Sequence, residues 1–218
     1  MNYLQLCQKA HSLCGLQGTF SSVTTTTLYQ QTLAKFIAEA WYDIQDLRRD
    51  WPFLRASVSF STVAGQSEYT LTNIGATDIA RWIDMIYYTD ASGGIHELGY
   101  MNYDTYILDA MSSKSQSTLD TYAVDPVDKH LYTNVPDAVY TVTGHYITTP
   151  VVLAANTDIP LLPVAFHNLI AYQGAAQMCA FMSNANMYNT LIQKADSMMG
   201  SLMRSELPSR KMQVRGIC

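Results

Sequence analysis

The stretch from Thr27 to Phe53, TLYQQTLAKFIAEAWYDIQDLRRDWPF, constrains the fold of this chain more than any other. Its apolar residues recur at steps of three and four, which places them on one stripe of an α-helix. The stripe consists of Leu33, Phe36, Ile37, Ala40, Trp41, Ile44 and Leu47. Thr27 and Gln30 have the spacing of a capping box, and Pro52 ends the helix because proline disfavours the α conformation in the preceding residue. One helix cannot bury its own stripe, so we expect other helices to cover it.

Three further segments show helical spacing, one near the start of the chain and two near its end. Asn2 is positioned to cap the first of these helices, and Gly15 is positioned to end it. The apolar stripe of this helix is Tyr3, Leu6, Cys7, Ala10 and Leu13 or Cys14. The second follows Pro160 and Pro163, with the stripe Ala165, Leu169, Tyr172, Ala176 and Cys179. Gly174 lies inside it, and a close contact with another helix would explain a residue that helices disfavour. Ser183 is placed to cap the last, with Tyr188, Leu191, Ala195, Met198 and Leu202 on one face.

Between these helices the period changes to two, which is typical of β-strands with one buried face. In SVSFSTV, Val58, Phe60 and Thr62 alternate with serines, and Glu68 to Leu71 forms the returning strand after a turn. Trp82 to Thr89 predicts a strong strand, which the DASGG loop connects to Ile95–Tyr100 as a hairpin. Asn102 to Ala110 predicts a short helix. The remaining predicted strands are Thr121–Val124, Lys129–Thr133 and Val139–Ile147, with Tyr140, Val142, Gly144 and Tyr146 sharing one face of the last.

The order of these elements predicts an α+β fold. The N- and C-terminal helices form a four-helix bundle, and an antiparallel β domain is inserted between the second and third helices. The predicted boundaries are 1–54 and 151–206 for the two parts of the bundle and 55–150 for the β domain. Residues 207–218 form an extended C-terminal tail, since they show no periodicity.

The composition is unusual mainly in its low charge. Charged residues make up 14% of the 218 residues, against about a quarter in an average domain, and polarity comes from Ser, Thr, Asn, Gln and 15 Tyr. Such a surface favours protein–protein contact. The net charge of −5 argues against a protein whose whole surface binds nucleic acid, although it permits a local basic segment.

The cysteines and the hydropathy point to a protein made in the cytosol. The four cysteines form no C-x-x-C pair, and Cys7 and Cys14 lie too far apart for a disulfide, so we expect reduced core thiols. The opening segment lacks the apolar run of a signal peptide, and no stretch approaches the roughly 20 apolar residues of a membrane span.

Catalytic and cofactor motifs are missing from the sequence. It contains no phosphate-binding G-x-x-x-x-G-K-[ST], no G-x-G-x-x-G, no H-E-x-x-H and no G-x-S-x-G, and its five histidines are scattered. We therefore assign no cofactor, metal ligand or catalytic residue. Glu39, Asp43 and Asp46 follow one side of the central helix, opposite the apolar stripe. Paired carboxylates can perform acid–base chemistry, but these three are better explained as a solvated or subunit-facing acidic edge.

The C-terminal segment LPSRKMQVRGIC admits three interpretations. It is a disordered end, a segment that becomes ordered against a partner, or a weak electrostatic contact with DNA. The second fits its mixture of apolar and basic residues.

Several stretches resemble one family. The opening MNYLQLCQKAHSLCGLQG, the helix with FIAEAWYDIQ, and DWPFLR followed by FSTVAGQSEYTL are similar to the head-to-tail adaptor (connector) proteins of tailed bacteriophages, in particular the tail tubular protein A type. Further similarity lies in ARWIDMIYY, in YAVDPVDKHLYTNVPDAVYTVTGHYITTP and from DIPLLPVAFHNLIAYQGA onward. The resemblance covers nearly the whole chain, and its motifs are structural.

The resemblance implies a structural protein of the virion and no enzyme. It implies a ring, typically a dodecamer, that is assembled in the host cytoplasm and seated under the portal at the head–tail junction. The ring extends the DNA channel without sequence-specific DNA binding, and it is the attachment platform for the next tail or nozzle component. No membrane is involved.

By position, the resemblance also assigns residues. It implies that the C-terminal tail of the chain binds the portal, through Leu207, Arg210, Lys211, Met212, Val214, Arg215 and Ile217. It implies that the β region faces the phage tail, including the loop formed by Asp90, Ala91, Ser92, Gly93 and Gly94. Glu39, Asp43 and Asp46 are candidate channel acids, since an acidic wall keeps DNA from sticking.

Two other functions remain as alternatives. A virion enzyme that degrades the cell wall would use carboxylates such as Glu39 or Asp43 in a cleft. Another tail or capsid-decoration protein would bind a different partner, and its position in the virion would distinguish it from an adaptor.

Overall fold

The computed structural model describes residues 1–24, 27–48, 50–83, 86–112 and 115–206, without the side chains of 110–112. The tail and its assigned portal-binding residues lie outside this range. The chain is mixed α+β. Its helices are α1 (Tyr3–Leu13), α2 (Leu28–Leu47), α3 (Leu71–Ile74), α4 (Tyr103–Ser112), α5 (His167–Phe181) and α6 (Ala185–Glu206). Its strands are β1 (Arg55–Ser61), β2 (Glu68–Tyr69), β3 (Ile79–Trp82), β4 (Tyr87–Thr89), β5 (Ile95–Glu97), β6 (Gly99–Tyr100), β7 (Thr121–Val124), β8 (Leu131–Thr133) and β9 (Thr141–Thr148).

Contacts divide the chain into two compact units. The helical unit comprises Met1–Phe53 and the described residues from Pro150 onward, and the β unit comprises Leu54–Thr149. Helices from both ends of the chain thus share one unit, and each unit has its own buried residues.

Helix α5 lies at the centre of the helical unit. It packs against α1, α2 and α6, and α1 also packs against α2. It is therefore buried on more sides than the sequence indicates, since Ile170, Ala171, Ala175 and Met178 are buried in addition to the predicted stripe. The stripe is wrong at Ala165, which is exposed in a short 3₁₀ turn before the helix.

Helix α2 has the predicted stripe over most of its length. Leu33, Ile37, Ala40, Trp41 and Ile44 are buried, and Phe36 is half-buried. The prediction that Leu47 is buried is wrong, because this last residue of the helix is 53% exposed. The indole Nε1 of Trp41 donates a 2.7 Å hydrogen bond to the Val151 carbonyl.

Gln45 provides a second link between α2 and Val151. Its Oε1 accepts from the Val151 amide at 2.9 Å, and its Nε2 donates to the Val151 carbonyl at 3.1 Å. The buried amide is thus satisfied at both ends, as a buried polar group requires. Val151 is thereby held on α2 although more than a hundred residues separate them.

Gly174 allows a close helix contact, as the sequence predicts, and the structure shows that the helix it approaches is α2. A Cβ added at Gly174 would lie 2.5 Å from Ile37 Cδ1 and 3.1 Å from Ile37 Cα. Real Cβ atoms essentially never lie closer than about 3 Å to another heavy atom. Glycine is therefore required by the helix–helix contact, which offsets its poor helix propensity.

The helix caps differ from the predictions in two of three places. Asn2 caps α1 in a complete capping box with Gln5. Thr27 is the N-cap of α2, but its side chain makes no cap hydrogen bond, and Gln30 Nε2 donates to the Thr19 carbonyl. Ser183 is wrong as the cap of α6, because it takes a left-handed φ of 60° in the turn. Asn184 Oδ1 instead accepts from the Met187 amide at 3.2 Å.

The larger sheet of the β unit is built around β9. Its order is β1-β9-β4-β5, and β3 also pairs with β9, all antiparallel. The predicted face of this strand is confirmed, since Tyr140, Val142, Gly144 and Tyr146 are buried. The predicted strand Trp82–Thr89 is split into the end of β3 and β4, with residues outside the described range between them.

The second sheet has the order β2-β8-β7-β6 and corrects two predictions. Strand β2 pairs with β8, so it does not return along β1. Its segment is also shorter than predicted, since Leu71 begins helix α3. The pair β6–β7 is parallel, so the prediction of an antiparallel β domain is wrong there. The predicted return Ile95–Tyr100 divides between the sheets, with β5 on β4 and β6 on β7.

Three cysteines are free, buried thiols, as predicted: Cys7, Cys14 and Cys179. Burial raises the pKa of Cys7 and of Cys14 to about 12, so both thiols stay protonated at neutral pH. The Sγ atoms of Cys14 and Cys179 lie 3.8 Å apart, a proximity that the sequence does not indicate. Cys218 lies outside the described residues.

Candidate interaction surfaces

The acidic edge of α2 consists of Glu39, Asp43 and Asp46. All three are exposed, on the side of the helix opposite the buried Ile37, Trp41 and Ile44. Lys35 is also exposed, one turn before Glu39. The edge is therefore predominantly but not entirely negative, and its three acidic residues are exposed to solvent.

An aromatic patch lies on the same unit, formed by Tyr29 and Phe36 of α2 and Phe181 of α5. The Phe181 ring meets those of Tyr29 and Phe36 edge-on, at centroid distances of 6.4 and 6.3 Å. Tyr29 is 51% and Phe181 53% exposed. Exposed aromatic groups of this kind are enriched at protein–protein interfaces.

The β unit carries an arginine groove, defined by Arg55, Arg81 and Lys129. It has a volume of about 370 Å³, and its walls include Trp82, Tyr100, Tyr122 and Ile147. Arg55 on β1 and Arg81 on β3 are both paired with Ile147 of β9. Because residues paired across a sheet point to the same face, Arg55 and Arg81 share the face of Ile147 on the two strands that neighbour β9. Sequence reasoning missed this groove, since only the sheet register brings Arg55 and Arg81 together.

The DASGG hairpin forms as predicted between β4 and β5 and is held by Asp90. One carboxylate oxygen accepts from the Ser92 hydroxyl at 2.6 Å, the Gly94 amide at 2.8 Å and the Ser92 amide at 2.9 Å. The other lies 3.1 Å from His96 Nε2. These hydrogen bonds, with that of the Ser92 side chain the strongest, hold the pKa of Asp90 well below its usual value. The turn of the hairpin is thus held together by hydrogen bonds to Asp90.

The histidines have structural environments. His11 packs edge-on against Phe20, and His167 Nε2 lies 2.8 Å from the Leu162 carbonyl. Burial lowers the pKa of both. His130 lies 3.1 Å from Glu68. Within the described ranges, no three His, Cys, Asp or Glu side chains are grouped so as to hold a metal ion.

A wider hollow of about 540 Å³ lies in the β unit, lined by residues that include Tyr106, Asp109, Asp120 and Asn134. Asn134 Oδ1 accepts from the amides of Asp120 and Thr121, so it serves the local backbone. The hollow does not contain Glu39 or Asp43, the carboxylates on which the enzymatic alternative depends.

Comparison with known families gives the clearest functional statement. No curated protein matches the chain significantly. Among the described residues, no helix combines the length and apolar character needed to cross a membrane. The model of the SU10 adaptor protein family matches residues 1–215. Adaptors of this family are structural components of the phage virion that associate with head and tail components. Since the match covers nearly all 218 residues, the chain belongs to the SU10 adaptor protein family.

Proposed function

We propose that this adaptor forms a ring under the portal, extends the DNA channel and provides the attachment platform for the tail. The family match over residues 1–215 carries the proposal. In the ring, α1, α2, α5 and α6 form a four-helix bundle with the β unit inserted between α2 and α5. The contacts of α5 with the other three helices support this description.

The surfaces of the molecule support ring formation. A closed ring of identical subunits requires two different, complementary patches on each copy. The aromatic patch is one candidate for such a surface, since Tyr29 and Phe181 are about half exposed. With charged residues at only 14%, such patches bury few charges that must lose water.

The remaining roles follow the family resemblance. The C-terminal tail binds the portal, and the DASGG hairpin faces the tail component. The acidic edge of α2 either lines the DNA channel or faces the adjacent subunit.

Mass measurement tests the ring directly. The purified chain, alone and mixed with its portal protein, is examined by native mass spectrometry. We expect a closed oligomer, with a dodecamer at about twelve times the 24.3 kDa chain mass. A chain that remains monomeric and never joins the portal under any condition contradicts the proposal.

Deletion of Leu207–Cys218 is expected to abolish portal binding and leave the helical unit folded. The tail contributes no periodic stripe, so its removal does not expose the bundle core. Portal binding is measured by co-sedimentation, and folding by far-UV circular dichroism. A chain with the same twelve residues in scrambled order is the matched control, since it keeps the charge but loses the sequence. Undiminished binding after the deletion refutes the assignment.

A further inference from the structure

Arg55 and Arg81 are two exposed arginines on one sheet face, and no described residue forms an ion pair with either. They flank Ile147 on strands that both neighbour β9, so their backbones are about 10 Å apart. Arginine side chains so placed are suited to bind carboxylates through paired hydrogen bonds.

The other charges of the groove are already engaged. Lys129 Nζ donates to the Pro126 carbonyl. The Asp125 carboxylate accepts from the amides of Val127 and Asp128, and these bonds lower its pKa. The groove thus offers two guanidinium groups that no described residue pairs with, and its lining includes Tyr100, which is 61% exposed.

A matching group of carboxylates exists on the same chain. Glu39 and Asp43 of the acidic edge are one turn apart, about 6 Å along the helix, so flexible arginine side chains can reach both. Tyr42 is 49% exposed on that side of α2 and adds an aromatic contact. Each patch also contains one charge of the opposite sign, Lys35 on the edge and Asp125 in the groove.

We propose that the acidic edge of one copy docks into the arginine groove of the next copy. The inference rests on the proposed ring and specifies its subunit contact. The edge and the groove are different patches, as a head-to-tail interface requires. It also favours the subunit-facing position of Glu39 and Asp43 over the channel wall.

A second copy fits the groove better than DNA does. Strong binding to a phosphate backbone needs several cations, whereas this groove has three, with Asp125 beside them. The chain as a whole carries a net charge of −5, which repels DNA at long range. DNA binding is therefore kept as an outcome of the test.

Charge reversal tests the contact. The edge variant is Glu39→Lys with Asp43→Lys, and the groove variant is Arg55→Glu with Arg81→Glu. Each alone brings like charges together, so the concentration needed for half-maximal assembly rises at least about tenfold. In an equal mixture, every contact between the two variants again joins opposite charges. Alternating rings therefore form, and native mass spectrometry detects them because the variants differ in mass.

The results separate this inference from the proposed function. Rings from the mixture, but from neither variant alone, support the contact. If both variants assemble as the wild type does, or if the mixture does not recover, the contact is wrong while a wild-type ring still upholds the proposed function. If the groove variant assembles normally and loses only DNA retention, the groove binds DNA and the inference is overturned. A wild-type chain that never forms rings contradicts the proposed function itself.

Discussion

Trp41→Ala is expected to lower the free energy of unfolding of the helical unit by about 3–5 kcal/mol. The side chain is 0% exposed, so its removal leaves a cavity that surrounding residues fill only in part. The indole also donates to the Val151 carbonyl at 2.7 Å. That carbonyl keeps Gln45 as a donor, so most of the loss comes from packing.

Urea unfolding followed by far-UV circular dichroism measures the effect without relying on the removed tryptophan. Gln31→Ala is the control, because this residue of α2 is exposed and belongs to none of the proposed surfaces, and its change should stay within about 0.5 kcal/mol. The stability loss of Trp41→Phe should lie between those of the two alanine variants, since phenylalanine keeps an aromatic ring but loses the hydrogen bond. A loss below about 1 kcal/mol for Trp41→Ala would mean that this residue is not in the core.

Gly174→Leu is expected to destabilise the helical unit by about 1–3 kcal/mol, through overpacking. A Cβ at this position already lies 3.1 Å from Ile37 Cα, and a backbone atom cannot move aside as the end of a side chain can. The rest of a leucine therefore forces α2 and α5 apart, although leucine itself favours the helix.

Gly200→Leu in α6 is the control with the same chemical change. The only neighbour of a Cβ there, among the described residues, is the flexible Arg204 side chain at 3.6 Å. The gain in helix propensity, up to about 1 kcal/mol, should then be visible. In urea unfolding we expect the free energy of unfolding to fall for Gly174→Leu and to rise for Gly200→Leu. Equal stabilisation at both would show that α2 and α5 do not approach closely at Gly174.

Elements that depend on local spacing could be predicted from the sequence. Helix α2 and most of its buried stripe follow from a period near 3.6, and the alternation along β1 and β9 follows from a period of two. The DASGG hairpin follows from turn chemistry. The exposure of Glu39, Asp43 and Asp46 follows from their side of the helix. These properties are set by neighbours a few residues away.

Properties that depend on distant neighbours could not be predicted. Strand β2 pairs with β8 because the second sheet offers it an edge, whereas the sequence shows only a strand after a turn. Helix α5 is buried on several sides because three helices surround it, and its own pattern indicates a single stripe. Leu47 is exposed because it is the last residue of α2, although its spacing continues the stripe.

The sequence by itself determined the four long helices, the strands β1 and β9, the Asn2 cap, the expectation of reduced thiols and the resemblance to phage adaptors. Only the tertiary structure decided that Arg55 and Arg81 flank Ile147, that Gly174 meets Ile37, and that Cys14 lies beside Cys179. The physical reason is that periodicity shows which face of an element is buried. The register of the sheet and the packing of the helices determine which residues that buried face contacts.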